Sequence, residues 1–318
     1  MGSTTRNACY RVRRFAANPL MTPQHTGVPD DNINGPSLIR NPIWSGNGLG
    51  RYLLYFAHHE GGHIRLAHAD SLEGPWRLSS PGVLPLQSLP WSADHVASPD
   101  VHVLEEKQEI RLYFHTPTAP MLRAADPEYA EKALDVPQKS FVAVSRDGVR
   151  FVVHEAPLGP SYFRVWPWRG AWYALPRLGT PLLRSADGFA PFAPVPNPLE
   201  GRPEFANIRH TAALVEDDDV TLFFTRIGDA PERILYTRIH MREGPEPWLA
   251  DRPVELLRPE AVYEGADLPV APSRFGVSPH AEHALRDPCV FKEEGRRYLF
   301  YCIQGEGGIA ACELESAT

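Results

Sequence analysis

Five times along this chain the same unit returns: a short first strand, a polar turn, an aromatic-rich second strand and a third strand. The second strands are "RYLLYFAHH" (51–59), "IRLYFHT" (110–116), "AWYALPR" (171–177), "VTLFFTR" (220–226) and "RRYLFYCIQ" (296–304). Each follows a first strand ("GPSLIR", "SPDVHVL", "YFRVWPW", "IRHTAALV", "RDPCVFK") and precedes a third ("HIRLAHAD", "SFVAVSRDG", "PLLRSADG", "RILYTRIH", "IAACELE"). Repeats of about 40 to 50 residues with roughly four short strands mark a β-propeller, because one small sheet cannot bury both faces without its neighbours. Five units predict an all-β, five-bladed β-propeller that takes up residues 1–318 as one domain. Fourth strands follow units one to four, as in "GPWRLSS", "RFVVHEAP", "FAPFAPV" and "PVELLRP", but unit five has none after it. The N-terminal "ACYRVRRF" (8–15) is expected to cover that edge as the outer strand of the last blade and close the ring.

The 33 prolines and 24 glycines are spread along the chain and punctuate many short elements, which agrees with an all-β fold. The net charge of −7 has no long single-sign block behind it, which argues against a nucleic-acid partner. No run of eighteen apolar residues occurs, and the first twenty residues hold no apolar run of signal-peptide length. A soluble, cytoplasmic protein with no membrane partner is expected. The four cysteines, Cys9, Cys289, Cys302 and Cys312, lack metal-type spacing and read as core thiols.

In a propeller blade the start of the first strand and the turn from second to third strand lie on one face, the former beside the axis. That rule gathers Asp287, at the head of "RDPCVFK", with Glu306 in the glycine turn of the same blade, and with Asn34, Asp100, Arg164, Arg209 and His210 from the others. The turns add His58, His59, Glu60, His115, Arg177, Arg226 and Gln304. Carboxylates facing one another across a cleft are the working parts of glycosidic bond hydrolysis. Asp100, Asp287 and Glu306 are the candidates, with Asp30 and Asp31 next. Burial and like-charge crowding are expected to raise the pKa of one of them, so that it serves as an acid near neutrality. Arg164 and Arg209 suit an anionic group on a substrate, or else neutralise Asp100 and Asp287. His210 reads as a proton donor or as a hydrogen-bonding wall residue, and Trp166 or Tyr162 as the floor of a sugar subsite.

His58, His59 and Glu60, with His115 and His210, also admit a metal, and His280 with His283 forms a second pair. Strand alternation turns His58 and His59 to opposite faces, so one inward histidine binding sugar is preferred to a metal, and no cofactor is expected. The insertion at 117–138 projects on the axial face as a lid or a subunit contact, which would make the protein a homo-oligomer.

"SPDVHV" opening blade two, "RDPCVF" opening blade five and the second strand "YLFY" resemble the five-bladed glycoside hydrolases around family 43, with family 117 neoagarooligosaccharide hydrolases as relatives. The resemblance runs from about Asn32 to Leu314. It implies a glycosidase, but the family 43 acids do not carry over. Where that family has a base aspartate on blade one, a pKa-modulating aspartate on blade three and an acid glutamate on blade four, this chain has Asn34 and Gly35, Arg164, and Arg209 with His210. In family 117 a histidine is thought to donate the proton, which gives His210 its catalytic reading. The leading expectation is an exo-acting glycoside hydrolase of a short oligosaccharide. The alternatives are a phosphorylase, transglycosylase or lyase acting on an anionic sugar, and a non-catalytic carbohydrate-binding propeller.

Overall fold

The computed structural model of the protein describes residues 10–28, 32–59, 61–89, 91, 92, 94–118, 138–244 and 246–317. Five antiparallel sheets stand around an axis as the blades of a propeller. From the inner to the outer strand, blade one is Asn34–Arg40, Tyr52–Ala57, Ile64–Ala69 and Arg77–Val83, and blade two is Ala97–Leu104, Glu109–Pro117, Gln138–Ser145 and Val152–Pro160. Blade three is Arg164–Trp168, Ala171–Leu175, Leu182–Ser185 and Ala193–Val195. Blade four is Ile208–Glu216, Asp219–Arg226 and Ile234–His240, and its outer edge is shared by Leu249–Ala250 and Val254–Leu257. Blade five is Arg286–Glu293, Arg296–Ile303 and Gly308–Ser316, completed by Tyr10–Arg14.

That last pairing closes the ring. Tyr10 lies opposite Ser316 and Arg14 opposite Cys312, so the edge of the last blade is satisfied by the start of the chain. The remainder of the expected closing segment, residues 8 and 9, lies outside the described residues, as does Cys9. Cys289, Cys302 and Cys312 are buried free thiols.

The core follows from the second strands. All six residues of Tyr52–Ala57 are buried, and such runs are possible only where both faces of a sheet are covered. The buried apolar side chains fall into five clusters, one in each gap between neighbouring blades. Each fully buried Leu, Phe or Val contributes about 1.5–3 kcal/mol, so the inter-blade seams carry the stability. Among the described residues no helix is long and apolar enough to cross a membrane.

The inner strands share a local irregularity that shapes the axial mouth. In four of the five the ladder slips register at one place: between Asn34 and Ser37, Ala97 and Asp100, Ile208 and Thr211, and Arg286 and Cys289. In three the cause is legible as a residue followed by proline. Proline has no N–H for the ladder, and the residue before it turns left-handed: Gly35 at φ 57°, Ser98 at φ 51° and Asp287 at φ 47°. In blade three Tyr162, at φ 66° just before the inner strand, takes the corresponding place.

Candidate active site

These bulges surround a cavity of about 440 Å³ to which every blade contributes. Asn34 and His59 come from blade one, Ser98 and His115 from blade two, Tyr162 and Arg177 from blade three, Arg209 and His210 from blade four, and Asp287 and Glu306 from blade five. The volume lies in the range of ordinary small-molecule sites.

Asp287 is 2% exposed. Its Oδ2 accepts a hydrogen bond from the Gly35 backbone N–H at 3.0 Å, and its Oδ1 forms an ion pair with Nδ1 of His210. Burial acts to raise its pKa, but the His210 charge and hydrogen bond, the Gly35 N–H and the Arg164 charge outweigh it and hold the carboxyl well below its ordinary range. Glu306 is also buried. Its Oε2 accepts from Asn32, lies 3.4 Å from His59 Nδ1 and 3.5 Å from Asn34 Nδ2, and its Oε1 accepts from Arg286 at 3.3 Å. Burial again pushes upward, and so does the nearby Asp287 charge, yet His59 and Asn32 bring the pKa below the ordinary value. Asp100 too is held low, against burial, by His102 and Arg164. The expectation of one carboxyl raised into the neutral range is therefore corrected: each acid has enough donors to keep it ionised.

Tyr162 is clamped between two imidazoles, its ring centroid 4.0 Å from that of His115 and 4.7 Å from that of His210, both nearly parallel. Burial and the charges of Asp287 and Glu306 push its hydroxyl up to about 12. His115 is 1% exposed, and neither of its ring nitrogens has a hydrogen-bond partner among the described residues. Burial, reinforced by His95, His210 and Arg164, drives its pKa far down, so it is a neutral imidazole with one donor and one acceptor to offer the cavity.

Several expected site residues are placed elsewhere. Asp100 does not face Asp287. It lines a separate cavity of about 170 Å³ further along the axis, where its Oδ2 accepts from Val165 N–H at 2.7 Å and lies 3.1 Å from His102 Nε2. The reason is where the acid stands relative to the proline. The mouth position is the one before the proline, which is Asp287 in "RDPC" but Ser98 in "SPDV", so Asp100 falls two residues further in. Arg164 shares that inner cavity and spends its guanidinium on the carbonyls of Ser98, Pro99, Phe163 and Thr211. Arg209 does reach the main cavity, but its fork closes on Glu232 at 2.8 and 3.1 Å, and it also donates to the carbonyls of Arg274 and Gly276. Neither arginine has its fork open to a substrate anion. Trp166 is 1% exposed and stacks on Tyr173 in the seam between blades three and four, because alternation turns it to a blade face.

Gln304 donates to the carbonyl of Val262, and His58 does not line the cavity whereas His59 does. Glu60, Asp30, Asp31 and residues 119–137 of the insertion lie outside the described residues. His283 bonds the carbonyl of Leu268. Among the described residues no three His, Cys, Asp or Glu side chains are placed to hold a metal ion.

The sequence reading missed Glu232, which is fully buried and also accepts from Thr225 at 2.8 Å and pairs with Arg286 at 3.2 Å. It missed Asp94, His95 and Phe275 as well, which line the cavity from loops that carry no strand periodicity.

No family model matches the chain. A protein of Acanthamoeba polyphaga mimivirus, described as uncharacterized protein R118, is 34% identical to it over 334 residues, covering 95% of this chain and 90% of the viral one. The chain belongs to the R118 family. The fold of this R118-family chain is that of the family 43 glycoside hydrolases and their relatives. A GH43 β-xylosidase/α-arabinofuranosidase from a compost microbial metagenome, solved with xylotriose, superposes with a TM-score of 0.58 at 14% identity, covering 97% of this chain and 96% of its own. A GH43 enzyme of Xanthomonas citri gives 0.60 at 14% identity over 91% and 89%. A putative glycoside hydrolase of Parabacteroides distasonis gives 0.64 at 10% identity over 97% of both chains.

Proposed function

We propose that the protein is a glycoside hydrolase that cleaves the terminal bond of a short oligosaccharide, with His210, Asp287 and Glu306 as its working groups. The observation that supports it best is the Asp287–His210 pair set beside the ionised Glu306 in one cavity. With the carboxyls ionised and the Tyr162 hydroxyl pushed up to about 12, too weak an acid for neutral pH, the proton that a leaving glycosidic oxygen requires is assigned to an imidazole. Asp287 against Nδ1 orients the ring and fixes its tautomer, which leaves Nε2 of His210 as the nitrogen that exchanges a proton with substrate. Glu306 then acts from its own side as the base that activates water or as the nucleophile. Asn34, His59 and the neutral His115 are the hydrogen-bonding groups for sugar hydroxyls, and Tyr162, its ring faces taken by His115 and His210, holds those two imidazoles in place. A cavity walled by all five blades suits an exo mode.

The neighbouring glycoside hydrolases support the reading by fold, and three of those crystals contain xylose or xylotriose. The test is a screen of the purified protein against neutral and uronic disaccharides and aryl glycosides, with and without phosphate, read by product chromatography. Free sugar released by the wild type and lost in Glu306→Gln is the expected result. Phosphate dependence or an unsaturated product would move the protein to the phosphorylase or lyase class, and binding without turnover to the lectin-like reading.

A further inference from the structure

Among the described residues the arginines around the axis are closed with one exception. Arg164 is filled by four carbonyls, Arg209 by Glu232, Arg226 by Asp229, and Arg286 by Glu232, Glu282 and Glu306. Arg177 is different. It lines the cavity, is exposed, and has no carboxylate partner among the described residues. What it does have is the ring of Phe275, with the guanidinium carbon 4.9 Å from the centroid, and Phe275 itself lines the cavity while 56% exposed. A guanidinium laid over an aromatic face is held in place while its N–H edge stays free, which is the state in which it can take a planar anion by two parallel hydrogen bonds. Its backbone is fixed as well, since Arg177 N–H donates to the Ser161 carbonyl at 3.0 Å, beside Tyr162.

On these grounds we propose that Arg177 is a specificity residue that binds a carboxylate carried by the substrate, so that the sugar in this cavity is a uronic acid. This deepens the glycosidase reading and rests on it for the role of the site, but recognition is separable from turnover. Blade five, not adjacent to blade three in the ring, contributes the ionised Asp287 and Glu306 to the same cavity, and these repel a sugar carboxylate. A uronate therefore enters in one orientation, with its acid group toward blade three and its glycosidic end toward His210. Electrostatics of this kind set register more than affinity.

The experiment is isothermal titration of the wild type and Arg177→Met with glucuronate and glucose, galacturonate and galactose, and inorganic phosphate. Arg177 is exposed, so its replacement leaves folding within about 0.5 kcal/mol, to be confirmed by thermal unfolding. The expected result is that one uronate binds the wild type about tenfold or more tightly than its neutral counterpart, and that the preference falls to within about twofold in Arg177→Met. Equal binding of charged and neutral sugars, a preference that survives the substitution, or no binding of either uronate would overturn the proposal. Phosphate binding more tightly than both uronates would overturn it too, by making the anion a phosphoryl group. Arg177-dependent uronate binding without turnover of any glycoside would leave this inference standing and remove the hydrolase reading. Turnover of neutral glycosides with no uronate preference would do the reverse.

Discussion

Two places along one axis carry the same kinds of residue and differ in what those residues still have to offer. In the inner cavity Asp100 is met by Val165 N–H and His102, and Arg164 by four carbonyls. At the mouth, Asp287 and Glu306 are also held ionised, but beside them stand a histidine and an arginine that, among the described residues, have no partner on either ring nitrogen and no carboxylate respectively. Buried charge alone does not mark a site, since a fully satisfied group ties blades together just as well. What separates strut from site is the unspent hydrogen-bonding capacity that remains once the protein's own partners are counted.

The comparison can be broken first at its most buried ion pair. Glu232 joins Arg209 and Arg286 with no water access, so Glu232→Ala leaves the buried Arg209 without its counter-charge and strips Arg286 of one of its three. A loss of about 3–5 kcal/mol in denaturant unfolding is expected. A loss below about 1 kcal/mol would mean that Arg209 is not a strut and is available to substrate after all.

A smaller effect sharpens the mouth itself. Asp287 and Glu306 both have folded-state pKa values below their ordinary ones, so the stability they lend is complete above about pH 5 and is lost progressively as pH falls through the folded values. Asp287→Asn should therefore cost about 1–3 kcal/mol near neutrality, with the gap to wild type narrowing as the solution is acidified below about pH 5. A gap that widens on acidification would contradict the direction assigned to the pair.

The smallest stability effect belongs to His115. Because its nitrogens have no partner among the described residues, His115→Phe removes an unsatisfied polar group while keeping a ring against Tyr162, and unfolding should shift by less than about 1 kcal/mol. KM, in contrast, should rise about tenfold, the worth of one hydrogen bond to substrate. Marked destabilisation with unchanged KM would place His115 among the struts.

The blades were legible in the sequence because each second strand is a continuous buried aromatic run, a pattern that only a sheet covered on both faces produces. The closing strand was legible from the missing outer strand of blade five. Asp287, Glu306, His59 and His210 could be placed at one mouth by topology alone. Asp100 was set beside them because "SPDV" and "RDPC" were aligned by their acids rather than by their prolines, and the proline fixes where the ladder slips. Arg209 could not be matched to its partner, since Glu232 lies 23 residues away across a turn and no local spacing announces it. Asp94, His95 and Phe275 sit on loops, where neither a period of two nor a bulge signal places a side chain. Partner inventories are a property of the packed molecule, and that is why the open Arg177 and the closed Arg164 looked alike as sequence.

The central claim is that the mouth acts on substrate and the inner cavity does not. It is tested most directly by turnover per folded molecule of Asp287→Asn and Asp100→Asn, measured side by side on the first glycoside the wild type releases sugar from. A fall of about 10²-fold or more in the first, with less than about threefold change in the second, is the predicted result. Equal losses in the two variants, or a larger loss from Asp100→Asn, would contradict it.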